Sequence, residues 1–563
     1  MTVPTNYPTN QLTNYPPNER KKNMKKLFFL TISMVLLLVL AGQPHPGHAE
    51  KAAQPLSFNG DFAADLVIGV PYEAIGSNAE AGAAHILYGA AGDGLSASGS
   101  QLWYQGNNGL LDAAEASDKF GSAFAIGDFD GNGYADLAVG VPGEGVGSPE
   151  VERAGAVHVL YFSDRNPENE VWHQDSDGIL DTAEPYDYFG AALAAGDFNG
   201  DGYTDLAVGT SQEDVGNPEV VNAGMVQVLY GSAAGLSADG NQMFYQGSFN
   251  LEDSAEANDH FGSPLAAADF DADGYADLAI GIQHEDIDAV VDVGAVQVLY
   301  GAANGINASR DQFWHQDVDG VVDTAEERDR FGSAMAVGDA NNDGYADLAV
   351  GIPYEDVGSV TEAGAVQIFY GAETGLTAEG NWLLHQNSLG VADSCEEDDH
   401  FGYSLAGGDF DGNGASDLAV GVPGEDVGNP AVANAGAVHI FYSQTGGDNE
   451  LMYQGHDGFG DTAEDQDNVG FSLAAGDFND DGRADLAVGV PHEDREGVTP
   501  LVNAGVVHVL LGSSAGLTTT GSQLWHQDSP GVGGASEDYD YFGYELAAIP
   551  TTRLRVYLPL TMR

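Results

Sequence analysis

Residues 127–140 read Gly127-Asp128-Phe129-Asp130-Gly131-Asn132-Gly133-Tyr134-Ala135-Asp136-Leu137-Ala138-Val139-Gly140, and near-copies of this stretch recur down the chain. The first aspartate of each copy falls at Asp128, Asp197, Asp269, Asp339, Asp409 and Asp477, at spacings of 69, 72, 70, 70 and 68 residues. Eight residues before it stands a Phe-Gly pair, led by Phe120, Phe189, Phe261, Phe331 and Phe401, with Val469-Gly470 in the sixth copy. A further pair stands at Phe542-Gly543. A repeat of this length decides the architecture before any single element does. Inside a unit the hydrophobic period is two, and residues 122–126, 137–141, 156–162 and 170–174 read as four short strands between Gly, Pro, Asn and Asp turns. No stretch has the pattern of an amphipathic helix. Four antiparallel strands per unit, repeated about seven times, predict the blades of a β-propeller. A linear β-solenoid would need shorter rungs.

The Phe-Gly pair, the acidic loop and the tripeptide Gly140-Val141-Pro142 together resemble the FG-GAP repeat of integrin α-chain propellers and their bacterial relatives. Gly351-Ile352-Pro353 and Gly421-Val422-Pro423 fit the same pattern, and the resemblance runs over residues 57–549. It implies an all-β fold, a seven-bladed propeller of four-stranded antiparallel blades. The phase of the repeat at the two ends agrees with a closed ring. The chain enters the array at Ser57-Phe58-Asn59-Gly60-Asp61, past the first strand of a unit, and leaves it on Tyr544-Glu545-Leu546-Ala547-Ala548-Ile549, which matches only that first strand. The C-terminal strand is therefore expected to complete the blade begun by the N-terminus, leaving no free sheet edge there. In that blade the acidic loop has Ser57 and Phe62 where the others have Asp and Gly, so no intact metal loop is expected.

Each of the other six loops places oxygen-bearing side chains at positions 1, 3, 5 and 9, with Gly at position 6 for a bend that needs positive φ. The sets are Asp128, Asp130, Asn132 and Asp136; Asp197, Asn199, Asp201 and Asp205; and Asp269, Asp271, Asp273 and Asp277. They continue as Asp339, Asn341, Asp343 and Asp347; Asp409, Asp411, Asn413 and Asp417; and Asp477, Asn479, Asp481 and Asp485. Alternate residues of a tight turn converge on one side. Position 7 offers only its carbonyl, so Tyr134, Tyr203, Tyr275, Tyr345, Ala415 and Arg483 are all acceptable there. The scheme is the first part of an EF-hand loop without its Glu at position 12; in integrin-like loops the final Asp takes that role. An oxygen-only set of five or more ligands suits Ca²⁺, whereas Mg²⁺ demands a stricter octahedron and zinc favours nitrogen or sulfur. The expectation is about six structural Ca²⁺ per chain, each cancelling repulsion and fixing a hairpin. An Asx-rich turn without metal is the plain alternative.

Two more acidic patterns recur, Asp181-Thr182-Ala183-Glu184 with Asp187-Tyr188-Phe189, and Pro353-Tyr354-Glu355-Asp356. Their recurrence in every blade favours turn-forming roles, because a reaction centre needs its residues once. His173, His315, His385 and His526 each precede Gln, and His158, His439 and His508 share a strand position. None has zinc-site spacing. Trp172, Trp314 and Trp525 are expected to pack between sheets. The chain has no nucleophile elbow, phosphate loop or dinucleotide fingerprint.

Composition bounds the partners. With 87 Asp and Glu against 17 Lys and Arg the net charge is −70, which repels nucleic acid and anionic membranes; a saline habitat is a second reading of the same charge. The lone cysteine, Cys395, lies beside Glu396 and Glu397 and reads as incidental. Lys25-Lys26, an apolar run over 27–40 and Gly47-His48-Ala49 have the form of a secretory signal peptide within an N-terminal extension, residues 1–49. Met24 is the more natural start, and an uncleaved anchor is the alternative. Residues 50–549 form the array, and the basic, apolar tail 550–563 reads either as an attachment signal or as a rim strand. These readings predict a secreted or surface-attached monomer that binds an extracellular protein or glycan, with no membrane span after signal cleavage. A surface-layer component is a second reading. A hydrolase is a third, because propellers of this family accompany glycosylphosphatidylinositol-specific phospholipases, whose chemistry lies in a separate domain. The resemblance reaches the fold and the calcium loops, not a ligand site.

Overall fold

The structure, a computed structural model, describes residues 56–163, 167–428, 430–443, 449–456, 458–495 and 500–549. The expected signal peptide and the C-terminal tail lie outside the described residues. The chain folds into seven four-stranded antiparallel sheets. Blade 2 is built of Ala123–Gly127, Asp136–Val141, Ala156–Tyr161 and Glu168–Trp172, and blades 3 to 7 repeat it from Ala192, Leu265, Ala334, Ser404 and Ser472. Among the described residues the helical structure is one 3₁₀ turn, Ser248–Asn250, and no helix is long and apolar enough to cross a membrane.

Burial explains the pattern of each strand. The second strand of blade 2 is buried along its whole length and reads as a continuous apolar run, as a strand covered on both faces must. The fourth strand of blade 5, Thr377–Leu384, is the outer edge, and its middle is exposed. The first strands of neighbouring blades touch one another around the ring. Neighbouring blades approach closely enough to demand small residues: a Cβ on Gly140, in the second strand of blade 2, would run into the carbonyl of Gly190 in blade 3. The Phe of each Phe-Gly pair is fully buried at the blade junction.

Blade 1 is assembled from both ends of the array. Its first strand, Glu545–Ala548, pairs antiparallel with Leu66–Val70 in the register Leu66↔Ala548 and Ile68↔Leu546. One core cluster joins Phe58 and Leu66 from the N-terminal side to Phe542 and Leu546 from the C-terminal side. The predicted closure is thus present. The strand bounds of blade 2 shift slightly from those expected, most in the fourth strand, which runs over Glu168–Trp172 rather than 170–174. Gln174 leaves the sheet to donate from Nε2 to Glu213 Oε2 of blade 3 at 2.5 Å. The same staple links each blade to the next, through Gln105–Glu144, Gln246–Glu285, Gln316–Glu355, Gln386–Glu425 and Gln454–Glu493. Gln527–Glu73, at 2.6 Å, completes the circle.

Candidate metal centres

Every acidic loop is the turn between the first and second strands of a blade. In blade 2 the turn is wound by its own side chains: Gly133 N–H donates to Asp128 Oδ2 at 2.9 Å, Asn132 N–H to Asp130 Oδ1 at 2.9 Å, and Tyr134 N–H to Asn132 Oδ1 at 2.7 Å. These Asx turns point the carboxylates inward. Gly133 sits at φ 94°, the conformation for which glycine was expected at position 6. The position-9 aspartate does something the spacing did not reveal. Asp136 is fully buried, and its two oxygens accept Phe129 N–H and Phe162 N–H, both at 2.9 Å. It thereby ties the turn to the end of the third strand. Asp205, Asp277, Asp347, Asp417 and Asp485 repeat both bonds in their blades.

The loops are also joined to one another. The position-8 N–H of each loop donates to the position-1 carbonyl of the loop before: Thr204 to Asp128, Ala276 to Asp197, Ala346 to Asp269, Ser416 to Asp339 and Ala484 to Asp409. Ala64 to Asp477 and Ala135 to Ser57 complete a circle of seven bonds between 2.8 and 3.2 Å. The position-7 side chain lies over position 4 of the preceding loop, so that a Cβ on Gly131 or Gly200 would strike the ring of Tyr203 or Tyr275. Gly412 faces Arg483 in the same way. Where position 4 is Asn342, position 7 of the next loop shrinks to Ala415.

Ligand atoms of Asp128, Asp130 and Asp136, of Asp269, Asp271 and Asp273, and of Asp409, Asp411 and Asp417 lie within 4.8 Å of one another. In blades 3, 5 and 7 position 3 is Asn199, Asn341 or Asn479; Asn199 and Asn341 accept the N–H of position 5 at 2.8 and 2.9 Å, and Asp481 N–H turns instead to Asp477 Oδ1 at 3.0 Å. The loop of blade 4 carries carboxylates at all four side-chain positions, and there Arg310 reaches in to Asp271 Oδ2 at 2.7 Å. That guanidinium brings the loop back to the same charge as its neighbours, a contact that no reading of a single loop could find. A fourth convergent group, Glu362, Asp398 and His400, lies at the surface away from the loops.

Crowding has an electrostatic cost. Burial, with the carboxylate of Asp130 beside it, pushes Asp136 up to about 8; burial pushes Asp277 up to about 8 and Asp269 to about 6. The donor set fits a hard cation. Asp409 Oδ1 and Asn479 Oδ1 are buried in their loops and accept no hydrogen bond, whereas buried oxygens normally find a donor. A cation held by positions 1, 3, 5 and 9 supplies the positive charge that these oxygens lack. Asp65 and Ser57 make the contrast in blade 1, where the Ser57 hydroxyl lies 2.8 Å from Asn59 Oδ1, 3.2 Å from Asp61 Oδ1 and 3.1 Å from Asp65 Oδ2.

The recurrent His, Glu and Trp residues have structural surroundings. His158, His439 and His508 are buried, and burial holds the first two down to about 4 and the third to about 3. Trp314 packs 4.8 Å from Phe369. Glu144 is pushed up to about 8 by burial and by Asp118, against the opposing bond from Gln105. Cys395 is a free, buried thiol.

The FG-GAP repeat family model matches residues 120–160, 189–229, 261–299, 331–369, 401–441 and 469–510. The chain is 30% identical to integrin alpha-PS2 of Drosophila melanogaster over 46% of its own length and 17% of that protein. It is 30% identical to the phosphatidylinositol-glycan-specific phospholipase D of Bos taurus over 38% of its own length and 24% of that protein. The chain therefore spans a quarter or less of these relatives. Among solved structures it is similar to rhamnogalacturonan lyase YesW, at 10% identity and a TM-score of 0.31 over 75% of this chain and 73% of that one. The chain carries six FG-GAP repeats and is an integrin-α-like FG-GAP β-propeller.

Proposed function

We propose that this propeller is a calcium-loaded, extracellular ligand-binding module, with one Ca²⁺ in each of the six acidic loops of blades 2 to 7. The observation that carries this reading is the circle of loops itself. Six turns of matched charge, linked through the blade 1 loop into one circle of hydrogen bonds, gather their oxygen donors around one end of the ring, which supports one cation in each. The oxygen-only donor sets favour calcium. Cations there would stiffen the rim on which an adhesion ligand is presented, and the similarity to integrin alpha-PS2 supports a protein or glycan as that ligand. The same reading makes the chain a binding module rather than an enzyme, because its buried acidic groups recur from blade to blade. Secretion or surface attachment and a monomeric state belong to the same proposal. Probing immobilised glycans and extracellular proteins with the calcium-loaded chain, and again after chelation, tests it. Saturable, calcium-dependent capture of one ligand class is expected; no capture, or capture indifferent to chelation, counts against it.

A further inference from the structure

Six of the seven blade junctions are filled by a repeated device. Position 2 of the acidic loop is Phe58, Phe129, Phe198, Phe270, Phe410 or Phe478, each no more than 2% exposed. The next blade supplies a second apolar group from the turn between its third and fourth strands. At five junctions this is Leu236, Ile306, Leu376, Leu517 or Leu95, in the same core cluster as the Phe. At four of those five the plug's N–H is bonded to the hydroxyl of a Tyr in the blade before. Between blades 1 and 2, Phe162 fills the gap with its ring 4.8 Å from that of Phe58.

Among the described residues, the junction between blades 5 and 6 lacks both parts. Position 2 of its loop is Ala340, and the residue equivalent to Phe162 is Ser443. A cavity of about 660 Å³ opens there, walled by Ile368, Leu384, Leu418 and Phe441. Its rim carries Trp382, 48% exposed, and the fully exposed Leu389. Both carboxylates in the wall and one of its hydroxyls are engaged: Asp347 and Asp417 each accept two backbone N–H groups, and Ser443 Oγ donates to the Ser416 carbonyl. Such a space offers water few partners, and apolar cavities take up apolar molecules instead. The volume falls in the range of small-molecule sites, about 300–1,000 Å³. Two missing rings define the shape of the occupant, and the two aspartates in the wall together with the net charge of −70 exclude an anion.

We propose that the junction of blades 5 and 6 is a binding site for a small uncharged aromatic compound of one or two rings, seated where the other junctions hold Phe and its apolar partner. The site shares Asp347 and Asp417 with the acidic loops of blades 5 and 6, but it does not depend on the ligand proposed above. The test uses 6-propionyl-2-(dimethylamino)naphthalene, a neutral, polarity-sensitive fluorophore with one two-ring aromatic system, titrated into the full calcium-saturated chain. A saturable enhancement at one probe per chain is expected, with energy transfer from Trp382 lost in Trp382→Phe. Ala340→Phe restores the residue that six loops already carry and should weaken binding at least tenfold while raising the melting temperature. Ser443→Phe does the same from the other wall and decides the matter if the first variant fails to fold. No saturable enhancement in the native chain, or unchanged affinity in a folded filling variant, overturns the proposal.

Discussion

The loop of blade 1 and the loop of blade 2 have nearly the same backbone purpose and different interiors. In both, the position-9 aspartate takes the N–H of position 2 and an N–H at the end of the third strand: Asp65 from Phe58 and Gly89, each at 3.0 Å, and Asp136 from Phe129 and Phe162. What differs is position 1. Asp128 in blade 2 is a carboxylate among carboxylates, while Ser57 in blade 1 places a hydroxyl among the same oxygens. The comparison separates two jobs within one motif. Position 9 holds the hairpin in all seven blades, and position 1 decides whether the centre gathers another carboxylate, as the proposed cation needs, or a hydroxyl.

The largest effect is expected where the ring itself is broken. Truncation after Pro530 removes Glu545–Ala548 and bares the Leu66–Val70 edge, so thermal unfolding should lose its single cooperative transition and the protein should aggregate. A truncated protein that stays monomeric with an unchanged melting temperature would show that closure by this strand is dispensable. Next in size is the position-9 pair. Asp65→Ala and Asp136→Ala each strand two buried backbone donors, at about 1–3 kcal/mol apiece. The cost should be alike in the two blades under chelation, and larger for Asp136→Ala when calcium is present. Chemical denaturation of both variants with and without calcium measures this.

A smaller effect is the pH dependence of the metal-free protein. Burial raises Asp136 and Asp277 to about 8, and Asp205, Asp417 and Asp485 to about 7, against about 3.9 in the unfolded chain. The folded state therefore binds more protons between about pH 4 and pH 8, and the stability these groups contribute is fully present below pH 4 and lost as pH rises through 7 to 8. In chelator the melting temperature should fall from pH 5 to pH 8. Calcium should flatten or reverse that trend, because a cation favours the ionised carboxylates. The finest test rebuilds the missing centre: Ser57→Asp with Phe62→Gly should add one calcium to the count and change stability by about 2–3 kcal/mol at a hundredfold excess over Kd.

The propeller was legible because each repeat states its own strands and turns, and because the phase at Ser57 and at Tyr544 is complementary. The acidic loops, as turns that gather their side-chain oxygens, were legible for the same reason, since a loop of nine residues contains its whole pattern. What escaped lies between blades. Gln174 and Glu213 are 39 residues apart, Arg310 reaches back the same distance to Asp271, and Ala415 makes sense only against Asn342 in the loop before. A side chain's partner in the next blade leaves no trace in the period of its own strand. Setting adjacent repeats beside each other, position 4 against position 7, would have exposed the pairing of small with large.

The most direct test counts calcium. Isothermal titration of the chelated and repurified full chain with Ca²⁺, checked by elemental analysis of the dialysed complex, should give six ions, five in Asp269→Ala, and a melting temperature that rises with occupancy. A stoichiometry of zero or one, or the loss of all six ions in Asp269→Ala, would contradict an account in which each loop of blades 2 to 7 builds its own centre.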